Sequence, residues 1–187
     1  LTLGDRRDDA AIVNLADLLV SLACMGLVLT AILGVLRQGQ QVYAYGTARV
    51  EAQQAARVAL QRMATEIRQA GFGAHDAAFD AVTVAEPSRI VLQFDVNGDG
   101  VIAGNGETIT WLLANGVLRR NAGGGAQPIV NGVRELRFAY VDAALQPTTV
   151  AADVRGVGIV LATVPEHASA AVPVTARVAT FVRLRNR

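Results

Sequence analysis

Apolar positions follow three regimes along this chain. Residues 1–11 are short and charged, with Asp5, Arg6, Arg7, Asp8 and Asp9 close together. Residues 12–36 (IVNLADLLVSLACMGLVLTAILGVL) are apolar almost throughout, and Leu18 to Leu36 is a run of 19 residues without a charge. A helix of that length reaches roughly 28 Å, about the hydrocarbon thickness of a bilayer. The core helix of a small domain keeps a polar face, which this run lacks. A cleaved secretory signal has a shorter apolar region that ends in small residues, whereas this run passes straight into a helical pattern. The reading is a membrane-spanning helix.

Past Leu36 the apolar positions thin out but keep a helical period. Residues 37–70 hold no proline, and TARVEAQQAARVALQRMATEIRQA consists largely of helix formers. Ala56, Leu60, Met63, Ile67 and Ala70 step by alternating fours and threes, which places them on one helix face. Arg57, Gln61 and Arg68 fall off that stripe, and Arg62 with Glu66 forms an i, i+4 pair. Gly71-Phe72-Gly73 supplies a stop. The pattern predicts one helix over residues 14–70, about 55–60 residues long, apolar all round in its first half and amphipathic in its second.

After Gly73 the period changes to two. Strands are predicted at 81–85, 89–94, 108–113, 117–120, 134–142, 154–163 and 176–184. Asn115-Gly116 between two of them is a hairpin turn signal, while Gly123-Gly124-Gly125 and 164–175 read as loops. The fold class is therefore α+β, with the second half of the helix packed on an antiparallel β-sheet head. Three stretches result: 1–11, a leader-like or inserted charged segment; 12–36, the transmembrane half of the helix; and 37–187, the globular head with the second half of the helix.

Composition adds little to this picture. All 17 cations are Arg and balance 16 acids, so no basic excess points to nucleic acid. A mean hydropathy of +0.34 is high for a soluble protein, and the excess sits near the N-terminus. With aromatics at 5%, the head must pack with Val, Leu, Ile and Ala. Cys24 is the one cysteine and lies inside the apolar run, so no internal disulfide forms.

Candidate chemistry is sparse. Asp95-Val96-Asn97-Gly98-Asp99-Gly100 matches the opening of a calcium loop, with oxygen-bearing side chains at alternate positions and a glycine for the turn. The closing acid would be the twelfth residue, but position 106 is Gly and Glu107 is thirteenth. Asp95, Asn97, Asp99 and Glu107 are thus candidate calcium ligands, with a solvated hairpin tip as the alternative. No other cofactor is required. Trp111 continues the alternation of TITWLL and reads as a core or interface anchor. His75 and His167 lack metal-ligand spacing. No nucleophile elbow, phosphate loop, Cys-x-x-Cys or His-Glu-x-x-His is present, so the chain is not read as an enzyme.

The sequence LLVSLACMGLVLTAIL resembles the N-terminal helix of type IV pilins and of type II secretion pseudopilins. The later DVNGDG, GETITWLL, GVLRR and QPIVNGVRELRFAYVD resemble the PilW-type minor pilins and the related J-type minor pseudopilins, as does the terminal Val182 to Asn186. The resemblance covers nearly the whole chain and implies a pilin-like fold. It implies a prepilin cut after a glycine, with the new N-terminus methylated. This chain departs from that pattern. Aligned on the apolar run, the glycine position is Ile12 and the mature chain starts at Val13; in a second register it starts at Leu1. The family's assembly acid aligns with Asp17, which implies pairing with a neighbouring subunit's amine; an interfacial acid that stays wet is the alternative.

The role so implied is a structural subunit that helps start assembly at the tip of a pilus or secretion pseudopilus. Its partners would be other minor and major pilin or pseudopilin subunits, the prepilin peptidase and the inner membrane. The head would be periplasmic until assembly. Two other readings stand beside it: a tip adhesin or DNA-uptake subunit, and a single-span anchored domain with no filament role.

Overall fold

The computed structural model describes residues 6–73, 79–165 and 175–186, with side chains from Leu15 onward. Helix α1 spans Arg6–Gln69, 64 residues. It starts eight residues before the predicted position, because nothing between Arg6 and Asn14 breaks a helix: the segment has no Gly or Pro, and Ala and Arg are strong helix formers. Ala70 and the positive φ of Gly71 (+79°) end it, as the glycine stop required. By its contacts the chain divides at Gly46, into a stem of residues 1–46 and a head of 47–187, ten residues beyond the boundary read from hydropathy alone.

Among the described residues the head holds two antiparallel sheets, where one was expected. The first is the five-stranded meander β1 (Val82–Glu86), β2 (Arg89–Gln93), β3 (Thr108–Ala114), β4 (Val117–Asn121) and β5 (Ala126–Val130). The second is β6 (Val133–Val141), β7 (Gly156–Thr163) and β8 (Ala176–Arg183), in that order. The split falls at Asn131-Gly132. Gly132 has φ +68°, and its carbonyl accepts a hydrogen bond from Val164 N–H at 2.8 Å, so the chain leaves the meander and begins a second sheet. The far edge of β6 meets the β1–β2 turn: Phe138 N–H donates to Pro87 O at 2.8 Å.

The seven predicted strands are all present, with ends shifted by one or two residues. β5 was not foreseen. It is a mostly exposed edge strand containing Pro128, which among the described residues pairs with β4 alone; proline is tolerated at such an edge because no ladder bond is lost on the open side. The β3–β4 hairpin turns on Asn115 (φ +53°) and Gly116 (φ +72°), the two-residue turn that the Asn-Gly signal demanded. A short 3-10 turn, Ala151–Asp153, occupies the ground just before β7.

The predicted helix stripe is the spine of the core. Ala56, Leu60, Met63, Ile67 and Ala70 are all buried, joined by Ala52 and Ala59. All of these but Ala52 belong to one apolar cluster with Ile90, Leu92, Trp111 and Leu118 of the first sheet and Phe138, Val157, Ile159 and Leu161 of the second. Thr163 of β7 ties this face down further by donating to Ala52 O at 3.0 Å.

Candidate assembly stem and candidate cation loop

Every described side chain from Leu15 to Gly46 is exposed. Large apolar residues point to all sides of the helix, and Gly26, Gly34, Gly39 and Gly46 have open space where a Cβ would stand. Among the described residues, α1 is the one helix long and apolar enough to cross a membrane. The two hydroxyl side chains of its apolar run are turned back on its own backbone. Thr30 Oγ1 donates to Gly26 O at 2.7 Å, and Ser21 Oγ donates to Asp17 O. Such i−4 bonds satisfy hydroxyls without water, as a low-dielectric surrounding requires.

Asp17 is exposed on this stem, close behind Leu15 and just ahead of Leu18, Leu19 and Val20. Ile12 and Val13, one alternative for the processing site, lie within α1, but their side chains fall outside the described residues; Leu1, the other, lies wholly outside them, as do His75 and His167. Two residues went unremarked in the sequence. Tyr43 and Tyr45 are exposed about 10 Å or more beyond Leu36, past Arg37. Aromatic rings of this kind concentrate at membrane–water interfaces, and their position just beyond an uncharged run was the available signal.

The 95–107 loop folds around its own carboxylates. Asp95 and Glu107 are 3% and 2% exposed. Asp95 Oδ1 accepts from Gly98 N–H at 2.7 Å and Oδ2 from Gly100 N–H at 3.0 Å. Asp99 Oδ1 accepts from Val101 N–H at 2.7 Å, and its Oδ2 from Asn97 Nδ2 at 2.8 Å. Glu107 Oε2 accepts from the N–H groups of Ala103 and Gly104 at 3.0 and 2.5 Å. The alternation of Asp95, Asn97 and Asp99 is thus used to hold the turn, through Gly98 (φ +76°) and Gly100 (φ +78°). Among the described residues no three acidic, His or Cys side chains converge as a metal cluster, so Asp95, Asp99 and Glu107 are not brought to one point. The donor chemistry still suits a hard cation. An ionised carboxylate has about four lone-pair sites, and each of these three uses two.

A third cluster joins the helix to the first sheet. Glu66 accepts from Trp111 Nε1 at 2.7 Å through Oε2 and from Arg120 Nε at 2.9 Å through Oε1. Arg62 Nε, the predicted i, i+4 partner, stands farther off at 3.4 Å. Trp111 is fully buried, as expected of an anchor, and Glu66 satisfies its indole N–H. Glu66 and Arg120 leave only 13% and 19% of their side chains exposed, which makes this a shielded ion pair. Arg120 was missed because it lies far away in sequence and its strand carries two consecutive arginines, only one of which turns toward the helix.

Among the described residues, Tyr140 has a clearly displaced proton affinity. Burial raises its phenol well above the ordinary value, and the negative charge of Glu86 adds to this. Its hydroxyl donates to Glu86 O at 2.7 Å. Nothing in this arrangement pairs a nucleophile with a base.

No family model matches the chain, and no curated protein matches it.

Proposed function

We propose that the protein is a minor pilin- or pseudopilin-like subunit, held in a membrane by its stem and built into a filament by that same surface. The observation that carries this reading is the stem: a continuous helix whose side chains are apolar and exposed in all directions from Leu15 to Leu36, with Asp17 the one charge among them. Lipid satisfies such a surface, and so does a bundle of like helices. Leaving lipid for neighbouring stems costs little transfer free energy, because both are apolar; packing and small residues then decide the association. Asp17 fits the assembly role because an acid near the end of a span is tolerable at the edge and much costlier deeper in, unless a positive partner neutralises it.

On this reading the head has a pilin-like fold and stands outside the cytoplasm, and prepilin processing and N-terminal methylation precede assembly. The chain is a structural subunit, not an enzyme. The 95–107 loop would take a weak calcium ion. It holds two nearly buried carboxylates, and among the described residues neither forms an ion pair.

The test is Asp17→Ala. Removing the charge should leave membrane insertion at or above the parental level, since a charge at mid-span costs ~3 kcal/mol and less near the edge. Incorporation into sheared filaments, read by immunoblot against the membrane fraction, should fall. Parental incorporation of the Asp17→Ala subunit rules out the pairing role. Absence of the parent chain from every filament fraction leaves a single-span anchored domain.

A further inference from the structure

The second sheet of the head has an open edge. β8 pairs with β7 along its whole length, Gly156 opposite Arg183 through Thr163 opposite Ala176, and among the described residues no backbone bond reaches its other side. An eight-residue strand so placed presents a row of unpaired N–H and C=O groups. Its inner positions Val178 and Thr180 are half-buried and Val182 is buried. The outer positions are Arg177, Ala179, Phe181 and Arg183, all exposed.

Cross-strand register extends that outer row into a face. Arg137, Val160 and Ala179 form one row, Ala139, Gly158 and Phe181 the next, and Glu135, Ala162 and Arg177 a third. Phe181 lies over the glycine end of β7: a methyl group at Gly156 would come within 2.6 Å of its ring. Covering glycine backbone accounts for part of the ring, yet 50% of the residue stays exposed. The face is therefore apolar in its middle and arginine-rich at its margins. Among the described residues its counter-charge is Glu135, at 3.4 Å from Arg177, in a pair exposed enough to exchange partners at little cost.

We propose that the β8 edge is a docking site for an extended strand of another polypeptide, one carrying acidic residues on either side of two small apolar ones. The backbone edge supplies affinity and the outer row supplies selection. Arg177 and Arg183 are six residues apart on one face, so the matching partner places its acids six apart, with apolar residues opposite Ala179 and Phe181. A second copy of this chain fits poorly: antiparallel pairing centred on Thr180 would set Arg177 of one copy against Arg183 of the other, at both ends. The inference goes beyond the filament reading and does not depend on it.

The test uses the full chain in zwitterionic detergent and a fluorescein-labelled peptide, Glu-Thr-Val-Thr-Val-Thr-Glu, read by anisotropy. Binding is expected below about 1 mM peptide and should weaken as salt rises. The Arg177→Glu, Arg183→Glu variant should weaken it by about tenfold or more, while binding the peptide with Arg in place of both Glu. Both sites are exposed, and unchanged circular dichroism checks the variant's fold. A peptide with the same charges but N-methylated at alternate amides should fail to bind. The proposal is overturned by no binding up to that concentration, by equal binding of the N-methylated peptide, by indifference to the double reversal, or by self-association through β8 in place of peptide capture.

Discussion

Leu22, Leu27 and Val35 in the stem leave well over half of their surface exposed, while Met63 and Ile67 on the same helix expose none, nor does Ala70 just past its end. Helix propensity does not separate these regions, since the backbone is one unbroken α1. What differs is the surrounding each half requires. Between Leu15 and Leu36 the stem exposes thirteen large aliphatic side chains. At about 1.5–3 kcal/mol for each, keeping them in water would cost roughly 20–40 kcal/mol, more than the whole stability of an ordinary domain. The head half carries its apolar residues on one stripe and buries them against two sheets. One half therefore depends on an outside partner, lipid or helix, and the other carries its partner with it.

The sharpest way to break this contrast is truncation of one side chain in each half. Ile67→Ala should destabilise the head by about 2–5 kcal/mol, through lost burial and a residual cavity. Leu27→Ala should leave the head's melting free energy within about 0.5 kcal/mol. Trp111 is the chain's single tryptophan and is fully buried in the head, so its fluorescence follows that unfolding alone. Equal losses from the two substitutions would mean that stem and head melt as one unit.

Next in size is the polar tie between the helix and the first sheet. Glu66→Ala removes the acceptor of Trp111 Nε1 and Arg120 Nε, leaving a buried donor and a shielded cation unpaired. The expected cost is ~2–3 kcal/mol, in the range for hydrogen bonds to charged groups. Arg62→Ala, which removes the half-exposed partner at 3.4 Å, should cost under ~0.5 kcal/mol. A comparable cost from Arg62→Ala would show that the helix pair, not the sheet arginine, holds Glu66.

These contrasts also mark what the sequence made legible. Period alone identified the stripe from Ala56 to Ala70, because burial on a helix imposes fours and threes. Asn115-Gly116 specified its hairpin, because both residues tolerate positive φ. The stem was legible because 19 uncharged residues leave few alternatives. The partition into two sheets was not, since strand pairing is non-local and one turn at Asn131-Gly132 decides it. β5 escaped because Pro128 and an exposed face hide an edge strand. In the loop, the spacing of Asp95, Asn97 and Asp99 was visible, but a calcium loop and a self-capped turn use the same residues. Only geometry shows the carboxylates facing backbone N–H groups.

That loop gives the third prediction. If calcium binds, it must draw together carboxylates that do not converge in this fold, using the lone pairs left over on Asp95, Asp99 and Glu107, with a dissociation constant of ~0.1–1 mM typical of extracellular sites. At free calcium ten times that constant, linkage adds ~1.4 kcal/mol to head stability. Thermal melts with calcium and then with chelator measure it, and magnesium at the same concentration should do less. An Asp95→Ala, Asp99→Ala variant should lose the calcium response and also be less stable in chelator, because the amide bonds to Asp95 go with it. Parent melts that coincide in calcium and chelator leave the self-capped turn as the loop's whole explanation.

The smallest effect tests whether the head's core is as dry as the stem's surroundings must be. Burial favours the neutral phenol of Tyr140, so its native proton affinity lies above the ordinary value of 10.0. The sign follows from proton counts. Below about pH 10 both states keep the proton, and the full stabilisation is present. Above it the unfolded chain releases the proton while the native one holds it, so the native state binds more protons and stability falls as pH rises. The slope approaches about 1.4 kcal/mol per pH unit for this one group, until the native phenol itself ionises. Tyr140→Phe should cost ~1 kcal/mol at neutral pH, by loss of the bond to Glu86 O, and should flatten the alkaline slope by one proton. Chemical denaturation at pH 8, 10 and 11 resolves the two. A variant that keeps the parental slope would place Tyr140 in contact with water and open the head's core at that corner.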